Sequence, residues 1–321
     1  MRNAFVKTIH TLGKDPRVML LIADTGQYIM QDFKRDYPER FLNVGVAEAN
    51  LAGIAAGLAA SGKIPFIYSI APFYTRCLDQ IRVDICQHDL PVKIVAVGAG
   101  IAYGTMGPTH HAIEDIAIMR ALPGMTVLSP CDPIETTKAT EAAFKIDGPV
   151  YLRLALVGET ELHTRDYDYQ LGKADILKEG RDIAIFSTGR MVETSLWAAK
   201  IIEEGSSIIE KSNSALSVRS ALSVRVVNIH TLKPIDKEAI LATAREVKMI
   251  LTVEEHNVIG GLGSAVAEVL AENNFHTPFK RLGINDQFCS HYGSFSYLQN
   301  RLRISDLWIA NEALALLERS K

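Results

Sequence analysis

Short apolar runs rich in β-branched residues alternate with amphipathic helical patterns along this chain, and the series runs twice. Strand patterns fall at VMLLIAD (18–24), IPFIYS (64–69), VKIVAVG (92–98), MTVLSP (125–130) and VYLRLAL (150–156). Helical patterns lie between them, as in AEANLAGIAAGLAAS (47–61) and IETTKATEAAFK (134–145). This order predicts βαβ units and a mainly parallel sheet. The runs are apolar on both faces, as strands are when helices cover a sheet on both sides.

A polar stretch, GETELHTRDYDYQ (158–170), interrupts the pattern and reads as a linker. The second series follows: DIAIFST (182–188), MVETSLWAAKIIEE (191–204), VRVVNI (224–229), DKEAILATAREV (236–247), MILTVEE (249–255) and GSAVAEVLAE (263–272). The fold class is therefore α/β with two α/β domains. The first is expected over 1–160, a linker over 161–172 and the second over 173–321. Residues 206–225 are Ser-rich and contain SALSVR twice in succession, at 214–219 and 220–225, which reads as a surface insertion.

With 321 residues the chain can bury a sizeable core, and 48% hydrophobic with 22% charged residues is ordinary for a globular protein. A net charge of −3 gives no electrostatic case for nucleic acid. No apolar run is long enough to span a membrane, and the start MRNAFVKTIH lacks the apolar stretch of a signal peptide. Cys77, Cys86, Cys131 and Cys289 show no CxxC spacing, so buried thiols in a reducing cytoplasm are expected.

Two segments carry candidate chemistry. In FLNVGVAEANLAGIAAGLA (41–59), Glu48 is a lone acid in an apolar, small-residue run where a strand gives way to a helix. Taken alone, it is the kind of acid that the helix dipole favours. In GTMGPTHHAIEDIAIMRALPGMTVLSPCDP (104–133), glycine and proline set two adjacent histidines, His110 and His111, in a loop before a helix. Such a loop at the mouth of a sheet suits binding or proton transfer. Neither the histidines nor Glu48 has metal-ligand spacing, so no metal site is expected on this chain.

The runs NVGVAEANLAGIAAGLA, GPTHHAIEDIAIMRALPGM with SPCDP, and VEEHNVIGGLGSAVAEVLAE with RLGI occur in order along almost the whole chain. Together they resemble the C-terminal half of transketolases and the matching part of 1-deoxyxylulose-5-phosphate synthases. The resemblance implies a pyrimidine-binding domain followed by a transketolase C-terminal domain. It also implies thiamine diphosphate as cofactor, with the diphosphate and its Mg2+ held by a separate N-terminal subunit, since nothing here resembles that domain's metal motif.

By motif match, Glu48 is the carboxyl that bonds the cofactor's pyrimidine ring and assists its amino group as a base. Phe73, in PFYTRCLDQIRVD (72–84), takes the ring-stacking position; Arg76, Asp24 and more weakly Tyr74 and Tyr68 are further cofactor-side candidates. His110 matches the histidine that faces substrate oxygens, while His111 and His256 are expected to be structural.

The sequence departs from the family where sugar phosphates are gripped. Tyr28, Gly98 and Leu156 stand where a serine, a histidine and an arginine are usual, and Met106 replaces an aspartate that touches substrate hydroxyls. Arg2 remains as the one alignable cation. Losing two or three donors to a phosphate costs on the order of several kcal/mol. The resemblance implies two-carbon ketol transfer from a ketose donor to an aldehyde acceptor, and these departures add the expectation that the donor or the acceptor is not a standard sugar phosphate, or is held differently. The assembly expected is a homodimer, or a heterotetramer with the partner subunit. Two other readings stay open: a synthase-like carboligase using pyruvate, towards which Arg76 leans, and a non-catalytic remnant of the family.

Overall fold

The computed structural model describes residues 1–156, 158–205 and 222–319. The first strand series is β1 (Val18–Ile22), β2 (Phe41–Asn43), β3 (Ile64–Ile70), β4 (Lys93–Val97), β5 (Thr126–Leu128) and β6 (Val150–Leu154). The second is β7 (Asp175–Lys178), β8 (Ile183–Ser187), β9 (Val224–Asn228), β10 (Thr231–Lys233), β11 (Met249–Asn257) and β12 (Phe279–Ile284). Around the first series lie α1 (Arg2–Leu12), α2 (Gln31–Asp36), α3 (Glu48–Ala60), α4 (Leu78–Gln80, running on as a π turn), α5 (Asp115–Ala121) and α6 (Pro133–Lys145). Around the second lie α7 (Met191–Glu204), α8 (Lys237–Glu246), α9 (Leu262–Glu272), α10 (Phe295–Arg301) and α11 (Asp306–Arg319).

Two mainly parallel sheets result, as the alternating pattern requires. Their orders are β10-β5-β6-β4-β3-β1-β2 and β12-β11-β8-β9-β7. β4 and β6 are buried at every residue, which explains their unbroken apolar runs. Helix starts follow local chemistry: the Asp132 carboxylate accepts the Glu135 N–H at 2.6 Å, and Pro133 opens α6 with its φ already helical.

Three strands, β7, β10 and β12, escape the sequence pattern, while β2 is the strand expected ahead of Glu48. β2 and β7 are partly exposed edge strands of three and four residues, and β12 is half-buried at the opposite edge from β7. β10 leaves the second half of the chain to pair antiparallel with β5 of the first sheet. Most of the duplicated 206–225 segment lies outside the described residues; its last two, Val224 and Arg225, open β9.

In the first sheet the chain steps from β1 outward to β2, then returns across β1 to β3. The connections therefore diverge between β1 and β3, and the topology rule for such sheets places the ligand crevice at the carboxyl ends of these strands.

Arg153 on β6 locks this end of the sheet to the second half of the chain. Its Nε donates to Asp115 Oδ2 (2.8 Å), Nη2 donates to the Ala112 and Glu255 carbonyls (3.0 and 3.2 Å), and Nη1 lies 3.9 Å from Glu255 Oε1. All three charged groups are buried. Burial, opposed by Arg153, pushes the Glu255 carboxyl up to about 7. Removing the cation strands two buried carboxyls. Arg153→Met is expected to lower the unfolding free energy in urea titrations by about 3–5 kcal/mol; a loss below about 1 kcal/mol would show that the network is dispensable.

Candidate active site

The crevice gathers side chains from loops that are distant in sequence. Glu48 begins α3 and is 4% exposed, at the end of the helix where the dipole favours an acid. Ser69, near the end of β3, donates to Glu48 Oε1 at 3.4 Å. The other carboxyl oxygen accepts no hydrogen bond among the described residues.

Phe73 lies half-buried in the turn after β3. That turn is pinned by its neighbour Tyr74, which is fully buried and donates its hydroxyl to the Ile67 and Val95 carbonyls (2.9 and 3.3 Å). Tyr74 is thus an anchor beneath the site rather than a wall of it. Arg76 is exposed and sets its guanidinium 5.2 Å from the Phe73 ring centroid. Cys77, buried beside Glu48, has its thiol pushed up to about 12, by burial first and by that carboxylate second.

His110 stands between two rings, edge-on to Phe73 at 5.3 Å and to Tyr103 at 6.0 Å. Its Nδ1 is 2.9 Å from the Thr109 hydroxyl. The loop carrying it is tied at both ends. The Gly100 carbonyl accepts the Ala112 N–H (2.8 Å), and Glu255 Oε2 accepts the Ile101 N–H (3.3 Å). Gly107 is left-handed (φ 77°), and a Cβ there would lie 2.1 Å from the Tyr292 ring, so the turn before His110 needs glycine. His111 is buried with both ring nitrogens unpartnered among the described residues, and burial lowers its pKa. His256 accepts the Ala117 N–H at 3.3 Å and so joins β11 to α5.

The remaining sequence candidates scatter around this core. Asp24 is exposed; its N–H donates to Asn43 Oδ1 (3.0 Å), and its carboxylate accepts from Asn43 Nδ2 (3.1 Å). Asn43 also takes the Gly45 N–H at 3.0 Å, which makes it the fixed point between β1 and the approach to Glu48. Met106 is 49% exposed on the histidine loop, and Tyr28 is 91% exposed. Arg2 is half-buried at the start of α1, and its charge acts on the hydroxyls of both Tyr68 and Tyr103. Gly98 is left-handed (φ 84°), and a Cβ at this position would fall 2.2 Å from the Tyr103 ring. Tyr103 therefore fills the space that a side chain at position 98 would need.

Asn43, Ser69 and Tyr103 were not among the sequence candidates. Asn43 lies within the NVGVAEAN motif and Ser69 ends the IPFIYS strand, but the part each plays is recognised only from what it touches.

A second polar cluster lies apart from the crevice. Cys131 Sγ, a Glu135 carboxylate oxygen and a His163 ring nitrogen lie within 4.8 Å of one another. His163 faces Asp132 through Nδ1 and Asp175 through Nε2, each at 2.9 Å, so both nitrogens act as donors. Asp132 Oδ2 also accepts the backbone N–H groups of Leu162 (2.8 Å) and His163 (2.7 Å). These bonds hold the polar segment after β6 against both sheets.

The class defined by this fold is one of paired α/β domains, with an acid at the head of α3 and an aromatic and a histidine in edge-on contact on loops that follow parallel strands. Residues 1–155 match the family "Transketolase, pyrimidine binding domain", and residues 172–299 match "Transketolase, C-terminal domain". The chain belongs to the transketolase family, a family of transferases that use thiamine diphosphate.

It is 38% identical over 308 residues to the 6-deoxy-6-sulfo-D-fructose transketolase subunit SqwH of Clostridium sp. (strain MSTE9), covering 95% of this chain and 90% of that protein. It is 35% identical over 297 residues to an apulose-4-phosphate transketolase subunit of Phocaeicola vulgatus, covering 91% and 90%. A solved structure described as "Split gene transketolase, inactive beta4 tetramer" superposes with a TM-score of 0.86 at 38% identity, over 100% of this chain and 99% of that one. Along its length the chain thus corresponds to a subunit of a split transketolase.

The His163 cluster makes stability depend on pH. Burial opposes the charged ring, but the hydrogen bonds to Asp132 and Asp175 prevail and raise His163 to about 10. Since the folded value exceeds the unfolded one of about 6.5, this contribution is complete below about pH 6.5 and is lost as pH rises towards 10. Unfolding free energies measured from pH 6 to pH 10 are expected to fall less steeply in His163→Gln than in the wild type. Parallel curves would contradict this assignment.

Proposed function

We propose that this chain is the pyrimidine-binding and C-terminal subunit of a split transketolase, catalytically active with a diphosphate-binding partner subunit. Residues 1–160 form the pyrimidine-binding domain and 173–321 the C-terminal domain in this reading. Thiamine diphosphate is shared between the subunits, and its Mg2+ is held by the partner. The enzyme is cytoplasmic and assembles as a dimer of this chain or a heterotetramer.

The observation that carries the reading is the Glu48 carboxyl, sequestered at the head of α3 with one oxygen unengaged, together with the Phe73 and His110 rings in edge-on contact on the loops after β3 and β4. These residues fit an aminopyrimidine: the unengaged oxygen suits a ring nitrogen, and the Phe73 ring offers a stacking surface. When bound, the cofactor supplies the carbon nucleophile that carries a two-carbon unit between substrates.

The chain's own residues do the rest. Glu48 holds a proton against the ring nitrogen, kept in place by Ser69. His110, steadied by Phe73 and Tyr103, is placed to donate to or accept from a substrate oxygen as charge develops there. Tyr103 over Gly98, with Leu156 and Met106 in place of polar groups, supports a sugar-like substrate other than a standard pentose or hexose phosphate.

In the enzyme reconstituted with its partner, Glu48→Gln is expected to lower turnover of hydroxypyruvate with an aldehyde acceptor by roughly 10²- to 10⁴-fold while the fold is kept. Full activity in a folded Glu48→Gln complex would refute the role. The choice of substrate is tested separately: efficient transfer from xylulose 5-phosphate to ribose 5-phosphate would overturn the exclusion of ordinary sugar phosphates.

A further inference from the structure

The polar cluster at the start of α6 brings side chains from three separate segments to one buried point. Cys131 Sγ, a Glu135 carboxylate oxygen and a His163 ring nitrogen lie within 4.8 Å of one another, and Sγ is 3.9 Å from His163 Nδ1. The Asn228 amide, at the end of β9, closes the group. Its Nδ2 stands 2.8 Å from Glu135 Oε1 and 3.5 Å from Cys131 Sγ. All four residues are buried.

Three features of this group point to a metal ion. Asn228 Oδ1 is buried and has no partner among the described residues. The oxygen and nitrogen of an amide exchange places by a half-turn of the side chain, and that turn aims Oδ1 at Cys131 and Glu135. His163 sets its other nitrogen, Nε2, 2.9 Å from Asp175 Oδ2, and a carboxylate on the outer nitrogen is what orients a metal-binding imidazole. The Cys131 thiol has only long contacts, at 3.5 and 3.9 Å, although ligand atoms surround it. Glu135 is held in place independently, because its Oε2 accepts the Cys131 N–H at 2.7 Å.

We infer that Cys131, Glu135, His163 and Asn228 form a structural zinc site, with Asp175 orienting the histidine from behind. Ligand atoms on a tetrahedral zinc are separated by roughly 3.3–3.8 Å, so a small inward shift brings this group to bonding distance. A thiolate and a carboxylate together balance the charge of Zn2+, as a buried site requires. Sulfur and imidazole favour zinc over Mg2+ or Ca2+, which take oxygen ligands. Four protein ligands leave no position for water or substrate, which makes the role structural. The ion ties α6 to the polar stretch after β6 and to β9, and so clamps the two halves of the chain. Zinc takes the place of the Nδ1 proton, so the pH dependence expected for His163 belongs to the metal-free chain. Neither the ion nor its ligands depend on the transketolase reading.

The test uses the full chain, stripped of metal with a chelator, and titrates Zn2+ into it in a calorimeter. One Zn2+ per chain is expected to bind to the wild type. Cys131→Ser and Glu135→Gln are each expected to weaken binding by roughly 100-fold or more, and Asp175→Asn by roughly 10- to 100-fold. Zinc is expected to raise the Tm of the wild type and to leave that of Cys131→Ser unmoved. A wild type that takes up no Zn2+, or variants that bind it as tightly as the wild type, overturns the site.

Co2+ identifies the ligands in the wild type itself, which needs no variant to fold. Stoichiometric Co2+ is expected to give the intense visible bands of a tetrahedral ion together with a thiolate-to-cobalt charge-transfer band. That charge-transfer band is expected to vanish in Cys131→Ser. Only the weak bands of a hydrated, octahedral ion in the wild type place the metal on surface groups and overturn the site. A thiolate band that persists in Cys131→Ser assigns the ion to another cysteine and overturns it equally.

Discussion

A buried arginine holds this molecule's two halves in one register. Arg153 projects from the middle of the first sheet towards Asp115 at the head of α5 and Glu255 on β11, and all three are sealed from water. In such surroundings a charge is tolerated only with its partners in place. Asp115 also accepts the Tyr151 hydroxyl at 2.8 Å, and Glu255 caps the backbone of the histidine loop at Ile101. The same network that joins the sheets therefore fixes both ends of the segment presenting His110. The geometry of the crevice is a consequence of how the halves dock, and the antiparallel addition of β10 to β5 reinforces that docking.

On this frame the site separates into rigid parts with distinct roles. Glu48 stands at a helix terminus that favours its charge, and Ser69 comes to it from the neighbouring strand. Phe73 rides on a turn nailed down by Tyr74. At the outer end, Tyr68 and Tyr103 rest on glycines in conformations that other residues rarely adopt. Glu48 and the two tyrosines are thus held by different supports.

Much of this was legible in the sequence because the determinants are local. The β1, β3, β4, β6, β8, β9 and β11 runs are long enough to show their burial directly, and Glu48 stands out as one acid in an apolar stretch. β7, β10 and β12 were missed because edge strands and a three-residue crossover into another sheet carry little apolar periodicity. The Asn43 hub and the Tyr103–Gly98 pair were invisible for another reason. Their meaning lies in contacts between residues that the fold brings together, and no spacing in the chain announces them. The polar stretch 158–170 reads as a linker by composition, yet His163, hydrogen-bonded through both ring nitrogens to Asp132 and Asp175, pins it.

The central claim is that the Glu48 carboxyl activates thiamine diphosphate bound between this chain and its partner. Its most direct test is the exchange rate of the cofactor's C2 proton with deuterium in the reconstituted complex, followed by quenched-flow NMR with no substrate present. The account predicts fast exchange in the wild type and a slowing of roughly 10²- to 10⁴-fold in Glu48→Gln with cofactor still bound. Equal exchange rates in the two proteins would contradict it.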